Sequence, residues 1–418
     1  MNGTHLPSLA TAIPGPRSTA LVDVLARHEC PAITARRARR AAALGVSDTD
    51  PIVWETAVGA NVQDADGNVF VDLTSGFGVA TIGHRDPAVV AAAHAQTDRL
   101  LHAMGDAYPD VARIGFLERL AGHAPAGLDH AILGLSGADA IDAVVKTAVL
   151  ATGRDAVLVF AGGYHGLSLG TVPLQAYKPA FTDPFRGITH PAVHVLPYGE
   201  DPAVIGRTVA EHAIGLVLVE PIQGRGGIRV PPDGWLRAVG DVARAQGALV
   251  AHDEIQCGLG RTGRTWAADA VPDLLAVGKA LAGGFPLSAA LGSAEAMGAW
   301  GASKGEAIHT QTFLGHPVGC AAGSAFLDQL DALGPRCEER GRRLVTVLED
   351  AGFVVQGRGL MLGVQLDDTL AASRGLLARG YIALPAGQRA EVLALTPPVT
   401  LTDEQIDGFV STLAEVVG

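Results

Sequence analysis

The sequence is short of several things, and each shortage excludes a class of protein. Charged side chains make up only 18% of its 418 residues, against 48% hydrophobic ones. That balance suits a large, deeply buried enzyme with an oligomer interface better than a small soluble module. Positive charge is scarce: 31 Lys and Arg stand against 43 Asp and Glu, a formal net charge of −12. So acidic a chain is no general nucleic-acid binder, although a local basic patch is still allowed. The four cysteines are Cys30, Cys257, Cys320 and Cys337, and no two form a C-x-x-C pair. That argues against a zinc site or a disulfide framework and points to reduced thiols in a cytoplasmic setting, with no metal expected. No uncharged apolar run reaches the roughly 18 residues of a membrane span. The first residues lack a basic stretch followed by an apolar one, so no secretory leader is expected. Internal repeats and low-complexity linkers are missing too.

What is present begins with residues 1–18, rich in Pro, Gly and Thr, which read as an arm, and a helix at 19–29. Arg36, Arg37, Arg39 and Arg40 then cluster; they read as a solvated helix face rather than an anion patch. Two alternating runs around Asp66-Gly67 signal a β-hairpin. A helix is expected over 87–104, where Val89, Val90, Ala93, Leu100, Leu101 and Met104 recur near a 3.6 period. The centre alternates short apolar strands (131–135, 156–160, 215–220, 248–253 and 274–277) with helical patterns, which predicts a mainly parallel sheet covered on both faces. Helices are expected at 324–333 and 336–351, and a final helix is capped by Thr402 and Gln405. The fold class is therefore α/β, a large domain with a mainly parallel central sheet plus a smaller α+β domain. Residues 1–74 read as the arm and part of the small domain, 75–318 as the large site-bearing domain, and 319–418 as the C-terminal small domain.

The stretch 251–284 organises the chemistry. Two buried-looking strand patterns end in an acid, Asp253, and a lysine, Lys279. Ligands on such sheets sit beyond the carboxyl ends of the strands. A lysine amine there can hold pyridoxal 5'-phosphate as a Schiff base, while a carboxylate keeps the pyridine nitrogen protonated. The same stretch contains Gly258-Leu259-Gly260-Arg261-Thr262-Gly263, which satisfies G-x-G-x-x-G. A dinucleotide fingerprint must open a helix and carry an acid about 20 residues on; here the acids come first and no amphipathic helix follows.

Further sites lie at other strand ends. Ser136-Gly137-Ala138-Asp139 opens a helix with an apolar face, a pattern that serves as a cap and also as a phosphate seat. Tyr164 and His165 sit in a glycine-rich loop, where an aromatic ring can stack on a planar group. Glu220 ends another strand. Thr310 and Thr312 precede a small-residue helix, and Phe77, between glycines, either lines a pocket or anchors the core.

Taken in order, Ser136-Gly137-Ala138, Tyr164-His165-Gly166, Glu220-Pro221-Ile222-Gln223-Gly224, Asp253-Glu254-Ile255-Gln256, Gly260-Arg261-Thr262-Gly263, Lys279-Ala280-Leu281 and Thr312-Phe313 closely resemble the class III (4-aminobutyrate/ornithine-type) aminotransferases. The resemblance runs from about residue 51 to residue 413. It implies the pyridoxal-phosphate transferase fold of type I and transfer of an amino group from an amino donor to a keto-acid acceptor. It implies that Lys279 carries the cofactor and shuttles the proton, and that Asp253 pairs with the pyridine N–H. Ile255 and Tyr164 would pack on the two ring faces, and Gln256 would reach the ring hydroxyl. Ser136, Gly137 and Ala138 would seat the phosphate, with His165 and Glu220 in the same cofactor shell. Thr312 would reach the phosphate of a neighbouring subunit, which implies a homodimer with shared sites. The alternative on the same scaffold is an amino-acid racemase or epimerase. A nicotinamide-dependent dehydrogenase built on the GLGRTG turn is a rival from another class.

The sequence departs from the resemblance where substrate is chosen. Leu167 stands where 4-aminobutyrate-type enzymes often carry an arginine. Arg225 stands where their motif continues with glutamate, and Ala394 where the arginine paired with that glutamate falls. Arg225 is accordingly a candidate carboxylate anchor, with Phe77 a second substrate-side candidate. Ala138 replaces a threonine, and His316 an asparagine.

Overall fold

The computed structural model describes residues 1–31, 51–189, 192–301 and 307–418. The arginine run at 36–40 lies outside them. The chain enters through α1 (Pro16–His28), whose Pro16 occupies the first helical position, where its missing N–H costs nothing. Three antiparallel strands follow, β1 (Trp54–Val58), β2 (Asn61–Asp64) and β3 (Val69–Asp72). The β2–β3 turn is the expected Asp66-Gly67 hairpin, with Asp64 Oδ1 accepting from the amides of Asp66 and Asn68 at 3.0 and 2.8 Å.

Next come α2 (Pro87–Thr97) and α3 (Val111–His123). The helix expected to reach residue 104 stops at Thr97. Gln96 turns its side-chain amide onto the Leu100 carbonyl at 2.9 Å, closing the end locally. Leu100, Leu101 and Met104, counted as a buried stripe, are instead 41%, 58% and 60% exposed. Periodicity cannot tell a face turned to the core from one turned outward.

The central sheet has seven strands: β4 (His130–Gly134), β5 (Ala156–Phe160), β6 (Val193–Leu196), β7 (Ile214–Val219), β8 (Leu249–Asp253), β9 (Leu274–Val277) and β10 (Ser288–Gly292), in the order β4-β10-β9-β8-β7-β5-β6. β10 runs antiparallel to both its neighbours, and the remaining pairs are parallel. Alternate residues of one strand feed opposite layers, as strand geometry requires. Leu216 and Leu218 of β7 pack with Ile141, Val144 and Ala148 of α4 (Gly137–Thr152). Val217 and Val219 pack with Ile205 and Val209 of α5 (Pro202–Glu211) and with Trp235 and Val239 of α6 (Trp235–Ala245). Burying each such side chain stabilises the fold by about 1.5–3 kcal/mol, so the face that carries Leu216 and Leu218 holds α4, and hence its N-terminus, in place.

The C-terminal part contains α7 (Pro317–Leu327) and α8 (Leu330–Asp350). The break expected at Pro335 falls earlier, at Asp328–Gln329, and α8 runs through the proline. Leu330, Leu333 and Cys337 are buried around it, and that packing offsets the hydrogen bond a proline removes. Strands β11 (Val355–Arg358), β12 (Met361–Gln365), β14 (Leu384–Ala386) and β15 (Val392–Leu395) form an antiparallel sheet, while β13 (Tyr381–Ile382) pairs in parallel with β3. Helix α9 (Thr369–Leu377) precedes β13, and α10 (Asp403–Val417) closes the chain with the predicted Thr402–Gln405 capping box.

Candidate active site

The parallel strands β9, β8, β7 and β5 lie side by side, so their carboxyl ends form one row. That row carries Lys279, Asp253, Glu220 and the loop of Tyr164 and His165. The sheet thus gathers residues that are far apart in sequence.

Asp253 and His165 are buried and share a 2.8 Å contact between Oδ2 and Nδ1. The other Asp253 oxygen accepts from the Ile255 amide at 3.1 Å. Burial pulls the His165 pKa down, but the Asp253 hydrogen bond and the charges of Asp253 and Glu220 outweigh it and leave it raised. The same contact fixes the Asp253 carboxylate against the imidazole. Glu220 spends its two oxygens on backbone, accepting from Tyr164 N at 2.8 Å and Gly224 N at 3.0 Å. Burial pushes its pKa up to about 7, with Asp253 adding to the rise, against the opposing pull of His165 and the two amides. Glu220 is therefore built to hold the Tyr164 loop and the Gly224 turn together. Glu254, next to Asp253, caps a different loop through Ala267 N at 2.7 Å and Ala268 N at 3.0 Å.

Lys279 follows Gly278 at the end of β9 with a left-handed backbone, φ 46°, a conformation costly for a residue with a side chain. Its half-buried amine has a pKa pulled down to about 8. Burial is the main cause, and Arg225 adds to it, while the negative charges of Asp253 and Glu220 resist. A lysine of this kind offers far more neutral, reactive amine near neutrality than an exposed one.

These residues fit pyridoxal phosphate. The amine and carboxylate are present, and the first turn of α4 offers backbone amides that helix geometry leaves without an acceptor. Ser136 and Asp139 close that turn as a capping box, with Asp139 accepting from Ser136 N at 3.0 Å. Ile255 supplies an apolar surface against Gly137, where a Cβ would come within 2.9 Å of Ile255 Cδ1. Gln256 lies against Gly224, where a Cβ would stand 2.1 Å from Gln256 Oε1. A side chain at either place would push the end of Ile255 or Gln256 out of its position.

Above the row opens a cavity of about 320 Å³, lined by Phe77, Arg225, Gln256, Ala394 and, among others, Tyr177 and Arg374. It brings Arg225 and Ala394, the paired departures in the sequence, to one wall. Leu167 does not line it and is 46% exposed. Ser136 is exposed at the helix start, and Thr312 is exposed outside the cavity. Sequence reasoning missed Tyr177, Arg374 and Thr396. Only the last had a local signal, its place before the double proline at 397–398. It missed as well that Arg261, in the glycine-rich turn, is buried. Arg261 donates to Leu360 O at 3.2 Å, Pro397 O at 2.6 Å and Thr81 Oγ1 at 2.7 Å. No helix follows that turn; it ties the site loop to the C-terminal part.

Comparison with known proteins agrees with this geometry. The profile of the family described as aminotransferase class-III matches residues 44–417. Acetylornithine aminotransferase of Methanopyrus kandleri is 33% identical over 376 residues, covering 88% of this chain and 94% of that protein. The enzyme of the same name from Mycobacterium tuberculosis H37Rv is 34% identical over 398 residues, covering 92% and 96%. Among solved structures, ornithine aminotransferase from Toxoplasma gondii ME49 superposes with a TM-score of 0.84 at 26% identity, covering 96% of this chain and 94% of that one. A further structure of the Toxoplasma gondii enzyme, with a TM-score of 0.80 at 26% identity and covering 96% of this chain and 97% of that one, is described as having partial occupancy of PLP at its active site.

Proposed function

This chain belongs to the class-III aminotransferases, pyridoxal-phosphate enzymes that move an amino group between an amino acid or amine and a keto acid, and from that premise we propose how its residues divide the work. When bound, the cofactor supplies the electron sink that lets the substrate Cα–H bond break. Lys279 would hold it through the side-chain amine, and Nζ, once free of that link, would be the base that takes the proton from substrate Cα. Asp253, steadied by His165, presents its carboxylate to the pyridine nitrogen. The amides of Gly137 and Ala138 and the Ser136 hydroxyl receive the phosphate. Ile255 and Tyr164 flank the ring, and Gln256 faces its hydroxyl. Glu220 acts at one remove, positioning Tyr164. Phe77 and Arg225 stand on the substrate side.

One observation carries this reading: Asp253 and Lys279 end adjacent parallel strands, and the amine is held down to about 8. The test is borohydride reduction of the holoenzyme followed by peptide mapping. The visible band should vanish and the reduced cofactor should map to Lys279. Label on Lys146 or Lys178 instead would overturn the assignment.

The active unit in this reading is a homodimer. Leu101, Met104, Tyr108, Val111, Ile114 and Phe313 are each more than half exposed. They belong to one surface, since His102 lies 5.3 Å from Phe313 between ring centroids and Thr310 Oγ1 meets Asp106 at 3.2 Å. So large an apolar patch marks an association surface. It borders Thr312, the one cofactor candidate that lies outside this chain's own cluster, and a second copy would bring that hydroxyl to the partner's phosphate seat. Buried thiols at Cys257, Cys320 and Cys337 support a cytoplasmic setting. No helix among the described residues is long and apolar enough to cross a membrane.

A further inference from the structure

Soon after β3, four consecutive residues take the left-handed backbone form. Ser75, Gly76, Phe77 and Gly78 have φ of 48°, 57°, 67° and 83°. Glycine adopts that form freely. Ser75 and Phe77 carry a Cβ that crowds the following carbonyl, so their conformation costs free energy that the surroundings must offset. The turn stands beside the site. Phe77 is 60% exposed and, with Thr74, lines the cavity above the strand ends. A Cβ at Gly78 would stand 3.9 Å from Lys279 Cδ and 3.8 Å from Gln256 Cγ, ordinary contact distances. One short turn therefore borders both the Lys279 side chain and the substrate space.

What holds the turn is Asp72, the last residue of β3, which is fully buried. Its Oδ1 accepts from Thr74 N at 2.7 Å and from Thr74 Oγ1 at 2.6 Å. Its Oδ2 accepts from Gly76 N at 3.0 Å and meets His84 Nε2 at 2.8 Å. With three other donors aimed at it, the carboxylate is an acceptor throughout, so Nε2 bears the hydrogen. His84 is a fixed post. Its backbone exchanges two hydrogen bonds with Gly59, at 2.8 and 2.9 Å, and its ring meets Trp54 edge-on with centroids 5.8 Å apart. Ser75 Oγ donates to Thr396 O at 2.7 Å, and Thr396 Oγ1 donates to Thr74 O at 2.9 Å, which ties the turn to the C-terminal part.

We propose that Asp72 and His84 are positioning residues for amino transfer: His84 fixes the carboxylate, the carboxylate holds the left-handed turn, and the turn sets the place of the Phe77 ring and of the Lys279 side chain. Neither residue lines the cavity. An aspartate that accepts from the backbone two residues on closes a common local turn and needs no histidine. The Oδ1 contacts with Thr74 are of that kind. The hold on Gly76, inside the left-handed stretch, runs through Oδ2, and Oδ2 is the oxygen that His84 fixes. The inference rests on Lys279 being the reacting amine.

The experiment compares two reactions of the holoenzyme, both followed at the cofactor band. One is the half-reaction with the fastest of L-glutamate, L-alanine, L-ornithine and 4-aminobutyrate. The other is the reaction with aminooxyacetate, which displaces Lys279 from the cofactor without moving a carbon-bound proton. His84→Ala should lower the limiting rate of the half-reaction roughly tenfold to a hundredfold, the worth of one hydrogen bond to a charged group. The aminooxyacetate rate should change by less than about threefold. His84→Gln, whose amide can donate in place of Nε2, should recover most of the loss, whereas His84→Asn, with the same amide one methylene short, should not. Phe77→Ala should cost severalfold less in the His84→Ala background than in the wild type, because a ring whose place is no longer set has less to lose. Equal slowing of both reactions, equal rates for the Gln and Asn variants, or strictly multiplicative effects of His84→Ala and Phe77→Ala would each overturn the proposal. With the borohydride label on Lys279, any of these overturns the positioning role alone. A label on another lysine overturns that role together with the reading beneath it.

Discussion

Two walls of the same site are built on opposite rules. At the strand ends, every charged group is met from within: Asp253 by His165 and the Ile255 amide, Glu220 by two backbone amides, Lys279 by the negative field of both acids. On the cavity wall, Arg225 lies over the ring of Tyr164 and Arg374 stands beside Leu370, and neither has a carboxylate partner among the described residues. The first wall is preorganised for chemistry, since its donors and acceptors need not move when reaction begins. The second is left unsatisfied, which is what a wall that recognises an outside anion must be. Catalytic residues are recognised by what they already hold, and specificity residues by what they lack.

The comparison can be broken most decisively at Lys279. In the proposed division of work Lys279 is both the covalent tether and the base, so with Lys279→Ala turnover in a half-reaction followed by cofactor absorbance should fall by at least about 10⁴-fold. A loss of tenfold or less would mean that the strand-end row is not where the proton moves.

A smaller effect separates positioning from contact. Glu220→Gln replaces one of two acceptor oxygens with a donor facing a backbone N–H. The cost is about 1–3 kcal/mol of stability, read as a lower melting temperature in the cofactor-free protein. It should also lower the Lys279 pKa, since the Glu220 charge is one of those holding it up. An unchanged melting temperature would show that those amides have other acceptors.

The smallest effect is a shift of midpoint. Only the neutral amine takes up the cofactor, so the loading rate of stripped protein should rise with pH through about 8, the depressed Lys279 value. Arg225→Ala removes a positive neighbour, makes the protonated amine less unfavourable and should move that midpoint upward by a fraction of a unit. The stability consequence has a definite sign. Because the folded pKa lies below the ordinary lysine value of about 10.4, the unfolded chain binds more protons between the two. The Lys279 contribution to stability is therefore present above the ordinary value and lost as pH falls through about 8. A midpoint unmoved by Arg225→Ala would place that guanidinium too far from the amine to grip a substrate acid beside it.

Much of the first wall was legible in the sequence. Strands 156–160 and 274–277 lie where expected, and others moved by a single residue, because buried parallel strands are short apolar runs with clear ends. Asp253, Lys279, Glu220 and the Tyr164 loop each sit just past such an end. Helix ends were less legible: α2 stops short of its apolar pattern at Leu100–Met104, and α8 ignores Pro335. Both outcomes depend on packing partners that a local pattern does not contain.

By itself, then, the sequence determined five of the sheet's seven strands, though not β6 or the antiparallel β10, together with the row of strand ends and the residue types placed there, because hydrophobic period and chemical motif are local properties of the chain. Only the tertiary structure decided that Phe77, Tyr177, Arg225, Arg374 and Ala394 share one cavity, for they come from five separate segments. Only it joined Glu220 to the amides of Tyr164 and Gly224, and buried Arg261 as a tie between site loop and C-terminal part. Only it set the Lys279 amine near neutrality. Burial and field are sums over everything nearby, and what is nearby exists only after the chain has folded.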